Sequence, residues 1–212
     1  MIYLEELNTI TNKLCLNILY ISKFLSNLYI MDKKNNSPFT TDDYNSGDGM
    51  MTSVWGPAMW LFLHTMSFNY PVNPTEEQKK HYYKFFKNIQ NILPCKYCRD
   101  NYKENLKTHK LNKDVMKNRD SLSRWVYEMH EIINKKLGKV SGLTYEQVRD
   151  RFEHFRSRCV SESKNMVIEK GCTEPLYGVK SKCIINIVPK DKKTESFLMD
   201  PKCILKKSKA KK

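Results

Sequence analysis

From residue 54 onward the apolar positions fall at helical intervals. Trp55, Met59, Phe62 and Met66 step by four, three and four, and Trp60 and His64 form a second stripe four apart. This predicts a helix over residues 54–70, with Pro57 in its first turn and Tyr70-Pro71 as its stop. Thr75 followed three residues later by Gln78 is a capping box, which opens a second helix towards Asn91. Pro94 ends that helix, and a third runs from Cys95 to about His109. The stretch NRDSLSRWVYEMHEIINKKLGK predicts a fourth helix stopped by Gly138. Thr144 and Gln147 form another capping box, and GLTYEQVRDRFEHFRSRC reads as a fifth helix reaching Cys159. No strand pattern of useful length precedes residue 180, and no internal repeat is present. The expected fold is all-α: a compact helical bundle.

Around this core the pattern changes. Leu4, Leu7, Leu14, Ile18, Ile21, Leu25 and Leu28 alternate steps of three and four, with Thr11 in the one polar slot. Residues 1–31 therefore read as an amphipathic helical extension with a heptad seam. It can pack on its own domain, pair with a partner helix or lie on a membrane surface. The apolar stretch 14–31 is broken by Asn17, Lys23 and Asn27, so it does not read as a membrane span, and no cleavable signal is apparent. Met31 and Met50 are alternative starts. Residues 32–53, rich in Asn, Asp, Ser and Gly, read as a linker. The core domain is expected at 54–158. Residues 159–212 form a basic tail, loosely folded or flexible, with 13 Lys/Arg against 6 Asp/Glu from residue 160 on.

Hydrophobic residues make up 40% and charged residues 28% of the 212, which fits a soluble globular chain rather than a disordered one. The net charge of +14 is spread along the chain, so a solvated lysine-rich surface accounts for it as well as attraction to nucleic acid, anionic lipid or acidic protein does. Nucleic-acid binding is not established by composition.

Seven cysteines are more than packing requires, and the odd number leaves at least one free or bonded between chains, Cys15 included. The chemically informative pair is Cys95 and Cys98, in ILPCKYCRD. A structural zinc site needs four ligands, commonly two close pairs. Only one C-x-x-C exists, Cys172 and Cys183 have the wrong spacing, and no Cys/His couple stands near either, so no metal site is expected. A C-x-x-C at a helix N-terminus suits redox chemistry, because the helix dipole and open amides favour a thiolate, and Lys96 and Arg99 add positive charge. A thioredoxin-like domain would place the motif after a strand, and here the surroundings are helical. Elsewhere, His130 and Asn134 share a face of the fourth helix, as Trp60 and His64 do on the first. Two imidazoles, an indole and a carboxamide aimed into one bundle suit a flat heteroaromatic cofactor.

WGPAMWLFLHTMSFNYP, then PT, then PCKYC, then HEIINKKLGK resembles, in order and spacing, the Erv/ALR family of FAD-linked sulfhydryl oxidases, over roughly residues 54–158. WGPAMW and the lack of a family disulfide look most like the branch carried by large DNA viruses. The resemblance implies a four-helix bundle with a fifth short helix enclosing FAD. Trp60 and His64 match the motif positions that contact the cofactor, and His130 and Asn134 match the family's H-N-x-V-N. Lys136, Leu137 and Lys139 match its L-G-K region, and Tyr145 is a candidate for the adenine end. Cys98 is implied as the flavin-proximal cysteine and Cys95 as the distal one that exchanges with incoming thiols.

The implied activity is a thiol oxidase: protein dithiol substrates reduce Cys95–Cys98, electrons pass to FAD and then to O2, and H2O2 leaves. Family precedent also implies a homodimer and a shuttle pair on a mobile segment, here Cys172 with Cys183 or either with Cys203. A viral oxidase would act in host cytoplasm or be packaged in the virion. In two places this chain departs from the pattern. Glu131 stands where the family usually has asparagine, and Tyr127 where many members have a disulfide cysteine, so the bundle must rely more on packing. The competing readings are a basic nucleic-acid-binding module in which the C-x-x-C is merely structural, and a structural virion or membrane-surface protein built on residues 1–31.

Overall fold

The computed structural model describes residues 38–160, 171–176, 179–195 and 197–203. The heptad seam over 1–31, Cys15 and the last basic residues lie outside that set. The chain divides into two units, Met1–Gly47 and Asp48–Lys212. In the first, the described residues include a short helix, α1 (Thr41–Asn45), within the segment expected to be linker. A reciprocal box makes it: the Thr40 hydroxyl accepts the Asp43 N–H at 3.2 Å, and the Asp43 carboxylate accepts the Thr40 N–H at 2.7 Å. It buries no side chain.

The second unit holds α2 (Thr52–Phe68), α3 (Glu76–Ile92), α4 (Lys96–Thr108), a 3-10 turn (Val115–Lys117), α5 (Arg119–Lys136) and α6 (Tyr145–Glu153). α2 packs on α5 and α3 on α4, while α6 lies against α2 and α5. This is the expected all-α bundle with a short fifth helix. Its core gathers Leu63, Phe86, Ile89, Tyr102, Leu122, Trp125, Val126 and Met129 from the four long helices. On α5 the buried positions 122, 125, 126 and 129 are one 3.6-period face. Fully burying each such side chain contributes roughly 1.5–3 kcal/mol. The capping boxes at Thr75/Gln78 and Thr144/Gln147 are both present.

Two helix boundaries differ from the sequence reading, and a small sheet is added. α2 begins at Thr52, which puts Pro57 in its second turn rather than its first. A proline there leaves the carbonyl of Ser53 without its helical donor. Gly56, having no Cβ, relieves the clash that a residue before proline suffers in helical conformation. The fifth helix ends at Glu153, short of Cys159. The guanidinium of Arg156 turns back to the Glu153 carboxylate at 2.6 and 2.7 Å and donates to the Phe68 carbonyl at 3.0 Å. Beyond it the chain is extended, and a two-stranded antiparallel sheet forms, β1 (Ser157–Val160) on β2 (Gly171–Pro175). No strand was expected here. β1 is four residues long, and its partner lies across a long connection, so neither shows a period of two.

Tyr127, in place of a family cysteine, still joins α5 to the segment before α6. Its hydroxyl donates to the Leu143 carbonyl at 2.7 Å, and its ring meets Tyr145 edge-on at 5.9 Å. Tyr127→Phe is expected to lower the unfolding free energy by about 1 kcal/mol, the worth of one such hydrogen bond. Urea unfolding at neutral pH checks this; no change would mean that the tyrosine bond does not tie the two helices together.

Candidate active site

Cys95 and Cys98 stand where α3 gives way to α4. α3 stops at Ile92, Pro94 prevents its continuation, and Cys95 is the N-cap of α4 in extended conformation (φ −161°, ψ 120°). The Cys95 Sγ accepts the backbone N–H of Cys98 at 3.2 Å, so the sulfur itself fills the cap position. Both cysteines are free thiols and half-buried. Cys98 packs against the hydrophobic core, as does Trp60. One turn further along α4, Tyr102 lines a very small pocket together with Trp60, Trp125 and Met129. The cysteine pair and the α2–α5 aromatic residues therefore adjoin a single core.

The thiolate expected at Cys98 is opposed by its surroundings. Burial pushes the Cys98 thiol up to about 12, with its hydrogen bond to Cys95 and the charge of that neighbour adding to the effect. Arg99 and the helix N-terminus pull the other way and lose. Arg99 is turned back, donating from Nη1 to the Leu93 carbonyl at 2.6 Å.

The imidazoles come together across α2 and α5. His64 Nε2 and His130 Nδ1 share a hydrogen bond of 3.0 Å, the donor depending on tautomer. Trp60 stacks on His130 with ring centroids 3.8 Å apart and planes within 7°. Phe152 of α6 lies 5.0 Å from the His64 ring, and Phe68 lies 5.4 Å from Phe152. His64 is only 4% exposed, and burial holds it down to about 3, with repulsion from His130 assisting. His130 is held down to about 4, chiefly by burial, with Lys139 also lowering it and Glu131 partly offsetting. Both rings are therefore neutral at physiological pH. His64 Nδ1 is buried and has no partner.

The remaining predicted residues spread along the end of α5. The Asn134 amide donates to Glu131 at 3.0 Å, so the departure at 131 gives that asparagine a carboxylate partner. Lys136 Nζ donates to the Asn105 side-chain oxygen. Leu137 caps α5 and is exposed, Gly138 turns the chain at φ +65°, and the Lys139 N–H returns to the Asn134 carbonyl at 2.8 Å. Tyr145 is set apart from the Trp60–His130 stack, in a cluster with Phe68 and Val148. Its hydroxyl bonds Ser123 at 2.7 Å and Asp120 at 3.2 Å, and the Arg124 guanidinium lies 3.9 Å over its ring. Sequence reasoning missed Phe68, which continues the Trp60–His64 stripe by another four residues. It also missed Phe152 and the buried Asn105, whose Nδ2 has no partner.

Of the three shuttle candidates, none is paired with another. Cys172 is in a disulfide, while Cys183 and Cys203 are both free. Cys203 accepts a hydrogen bond from the Ser181 hydroxyl at 3.1 Å and lines, with Cys172 and Phe155, a cavity of about 340 Å³ beside the strands. No group of three metal-ligating side chains occurs among the described residues, and no described helix is long and apolar enough to cross a membrane.

Comparison with known proteins bears on the bundle, residues 57–153. The model of the Erv1 / Alr family matches residues 57–153. The chain is 38% identical over 104 residues to a probable FAD-linked sulfhydryl oxidase of Acanthamoeba polyphaga mimivirus, covering 49% of this chain and 72% of that protein. It is 31% identical over 119 residues to the FAD-linked sulfhydryl oxidase ERV1 of Arabidopsis thaliana, covering 56% of this chain but only 54% of the relative. Among solved structures, the FAD binding domain of Erv1 from Saccharomyces cerevisiae aligns at 28% identity and a TM-score of 0.44, over 49% of this chain and 94% of that one. The matched stretch closes at Glu153, where the last bundle helix ends, and with 38% identity across 72% of the mimivirus protein this chain belongs to the Erv1 / Alr family.

Proposed function

We propose that this protein is an FAD-dependent thiol oxidase that forms disulfide bonds in protein substrates, with O2 as final acceptor and H2O2 as product. The observation that carries this reading is a C-x-x-C whose Cys95 caps α4 and whose Cys98 packs on the same hydrophobic core as Trp60, with Trp60 in turn stacked on His130 of a buried His64–His130 pair. The donor set fits FAD: flat aromatic faces from Trp60, His130 and Phe152, an unpartnered buried imidazole nitrogen on His64, and the cationic Lys136 and Lys139 for an anionic diphosphate. Tyr145 contributes through its ring, since its hydroxyl is held by Ser123 and Asp120. When bound, FAD supplies a two-electron acceptor that O2 can reoxidise.

The chain's own residues carry the thiol chemistry. A substrate thiolate attacks the Cys95 sulfur of the oxidised pair, and Cys98 leaves with the electron pair. A second substrate thiolate resolves the mixed disulfide, leaving Cys95 and Cys98 as dithiol. Burial disfavours charge on Cys98, so its departure is slowed and it takes up a proton as the Cys95–Cys98 bond breaks; attack falls on Cys95 because Cys98 packs against the core. Neutral His64 and His130 would orient a bound ligand by hydrogen bonding without adding charge to the core. Cys183 and Cys203 are the free thiols through which a relay from the tail would run. A homodimer would use the apolar side chains α2 and α3 leave exposed, Val54, Phe62 and Tyr83 among them. The mimivirus relative supports a viral source, with action in host cytoplasm or the virion.

Purified protein is expected to be yellow and to consume O2 when given a dithiol. Cys98→Ser should keep the flavin while turnover falls to the buffer background; folded but colourless wild-type protein would reject the proposal. A second expectation concerns acid. Both histidines have folded values depressed below 6.5, so between 6.5 and about 4 the unfolded chain binds more protons. Their contribution to stability is fully present above pH 6.5 and is lost as pH falls, by up to about 1.4 kcal/mol per pH unit for each. Urea unfolding at pH 7.5, 6.5 and 5 measures the slope. His130→Asn should flatten it, and an unchanged slope would show that His130 is not buried neutral.

A further inference from the structure

Backbone upstream of α2 makes a contact that a linker would not. Gly49 forms an antiparallel bridge with Cys95, and the Met50 N–H donates to the Pro94 carbonyl at 2.7 Å. The Met50 carbonyl in turn accepts the Trp55 indole N–H at 2.9 Å, which anchors the segment to the first turn of α2. Gly49 sits at φ +106°, where residues with a side chain are strained. It also has no room for one: a Cβ would lie 2.5 Å from the Pro94 oxygen and 2.9 Å from the Cys95 Cα. Residues 48–50 thus form a backbone strap pressed onto the peptide that precedes the redox pair. The strap lies before the stretch that the family model matches, 57–153.

We propose that Gly49 and Met50 are positioning residues for the Cys95–Cys98 couple, holding Cys95 in the extended conformation its thiol exchange requires. This rests on the thiol-oxidase reading above. Cys95 is the one residue of the pair outside a helix: its carbonyl accepts the Arg99 N–H at 3.1 Å as the first bond of α4, and its N–H bonds the Leu93 carbonyl at 2.8 Å. The strap adds the contact on the Pro94 side of that residue, and the resulting extended conformation directs the Cys95 sulfur to the Cys98 N–H. During turnover Cys95 changes partners twice. A substrate thiolate forms a bond to the Cys95 sulfur as the Cys95–Cys98 bond breaks and Cys98 leaves as thiolate. A second substrate thiolate then attacks the substrate sulfur of the mixed disulfide, and Cys95 leaves as thiolate. One substrate disulfide is formed, one protein disulfide is reduced, and the two protons given up by the substrate thiols end on the protein thiols. A loosened Cys95 changes the separation of the two sulfurs, and with it the equilibrium between dithiol and disulfide.

The test uses the full chain with its flavin and three proteins: wild type, Gly49→Ala and Trp55→Phe, the last keeping an aromatic ring but removing the donor to Met50. Each is equilibrated in glutathione buffers of graded ratio, and the fraction of Cys95–Cys98 disulfide is read by alkylation and mass spectrometry. Flavin content and thermal midpoint are recorded alongside. Gly49→Ala is expected to shift the equilibrium constant of the couple at least tenfold, about 30 mV for two electrons, and to lower kcat/KM for a dithiol by a similar factor, with flavin content retained. Trp55→Phe should move both in the same direction by about threefold. Equilibrium constants within twofold of wild type in both variants would overturn the proposal, as would a loss of stability with an unshifted couple. If Gly49→Ala does not fold, Trp55→Phe decides alone. The couple is measured without reference to oxidase turnover, so a wild-type protein that consumes no O2 would reject the functional reading while the strap is still judged by the shift.

Discussion

His64 and His130 meet through one hydrogen bond of 3.0 Å between α2 and α5, and nearly everything about the site follows from keeping both rings uncharged. Two imidazolium ions at that distance, shut away from water, would cost several kcal/mol each in desolvation before their mutual repulsion is counted. Burial settles the matter by holding both rings neutral. A neutral His130 can then lie flat on Trp60, and a neutral His64 can sit within the Phe68–Phe152 aromatic wall that joins α6 to the bundle. The same burial leaves His64 Nδ1 without a partner. An orphaned polar atom in a packed core is unfavourable by roughly 1–3 kcal/mol, a cost that a ligand bonded to it would remove. Stability and readiness for a cofactor are two consequences of one constraint.

The cysteine pair is governed by a second balance. The N-terminus of α4 favours negative charge, but Cys98 lies at the third helical position and faces the core. Desolvation there outweighs both the dipole and Arg99. The two sulfurs are consequently in unequal surroundings: Cys95 lies outside the helix beside the strap of residues 48–50, while Cys98 packs on the core, so in the proposed exchange Cys95 is the sulfur offered to incoming thiols.

Much of this was legible in the sequence because helical periods place residues on faces. Trp60 and His64, four apart, had to share a stripe, as had His130 and Asn134, and the capping residues Thr75 and Thr144 mark helix starts by local chemistry alone. What could not be read depends on contacts distant in sequence or on competing effects of similar size. Phe152 meets His64 only because α6 folds back over α2. The β1–β2 pairing joins segments too short to show a period. Gly49 sits in a stretch whose composition reads as linker, and its reason is the carbonyl of Pro94, 45 residues away in sequence. The direction of the Cys98 shift is not legible in the sequence, because a helix N-terminus shows there and burial against the core does not.

The central claim is that Cys95 and Cys98 deliver electrons from thiols to a flavin held by the His64–His130 core. Anaerobic addition of one equivalent of a dithiol to the purified flavoprotein tests it most directly. The account predicts that the visible flavin absorbance bleaches with one dithiol consumed per flavin, and that admitting air restores the colour with release of one equivalent of H2O2. Flavin that stays oxidised under excess dithiol, while Cys95 and Cys98 become reduced, would contradict it.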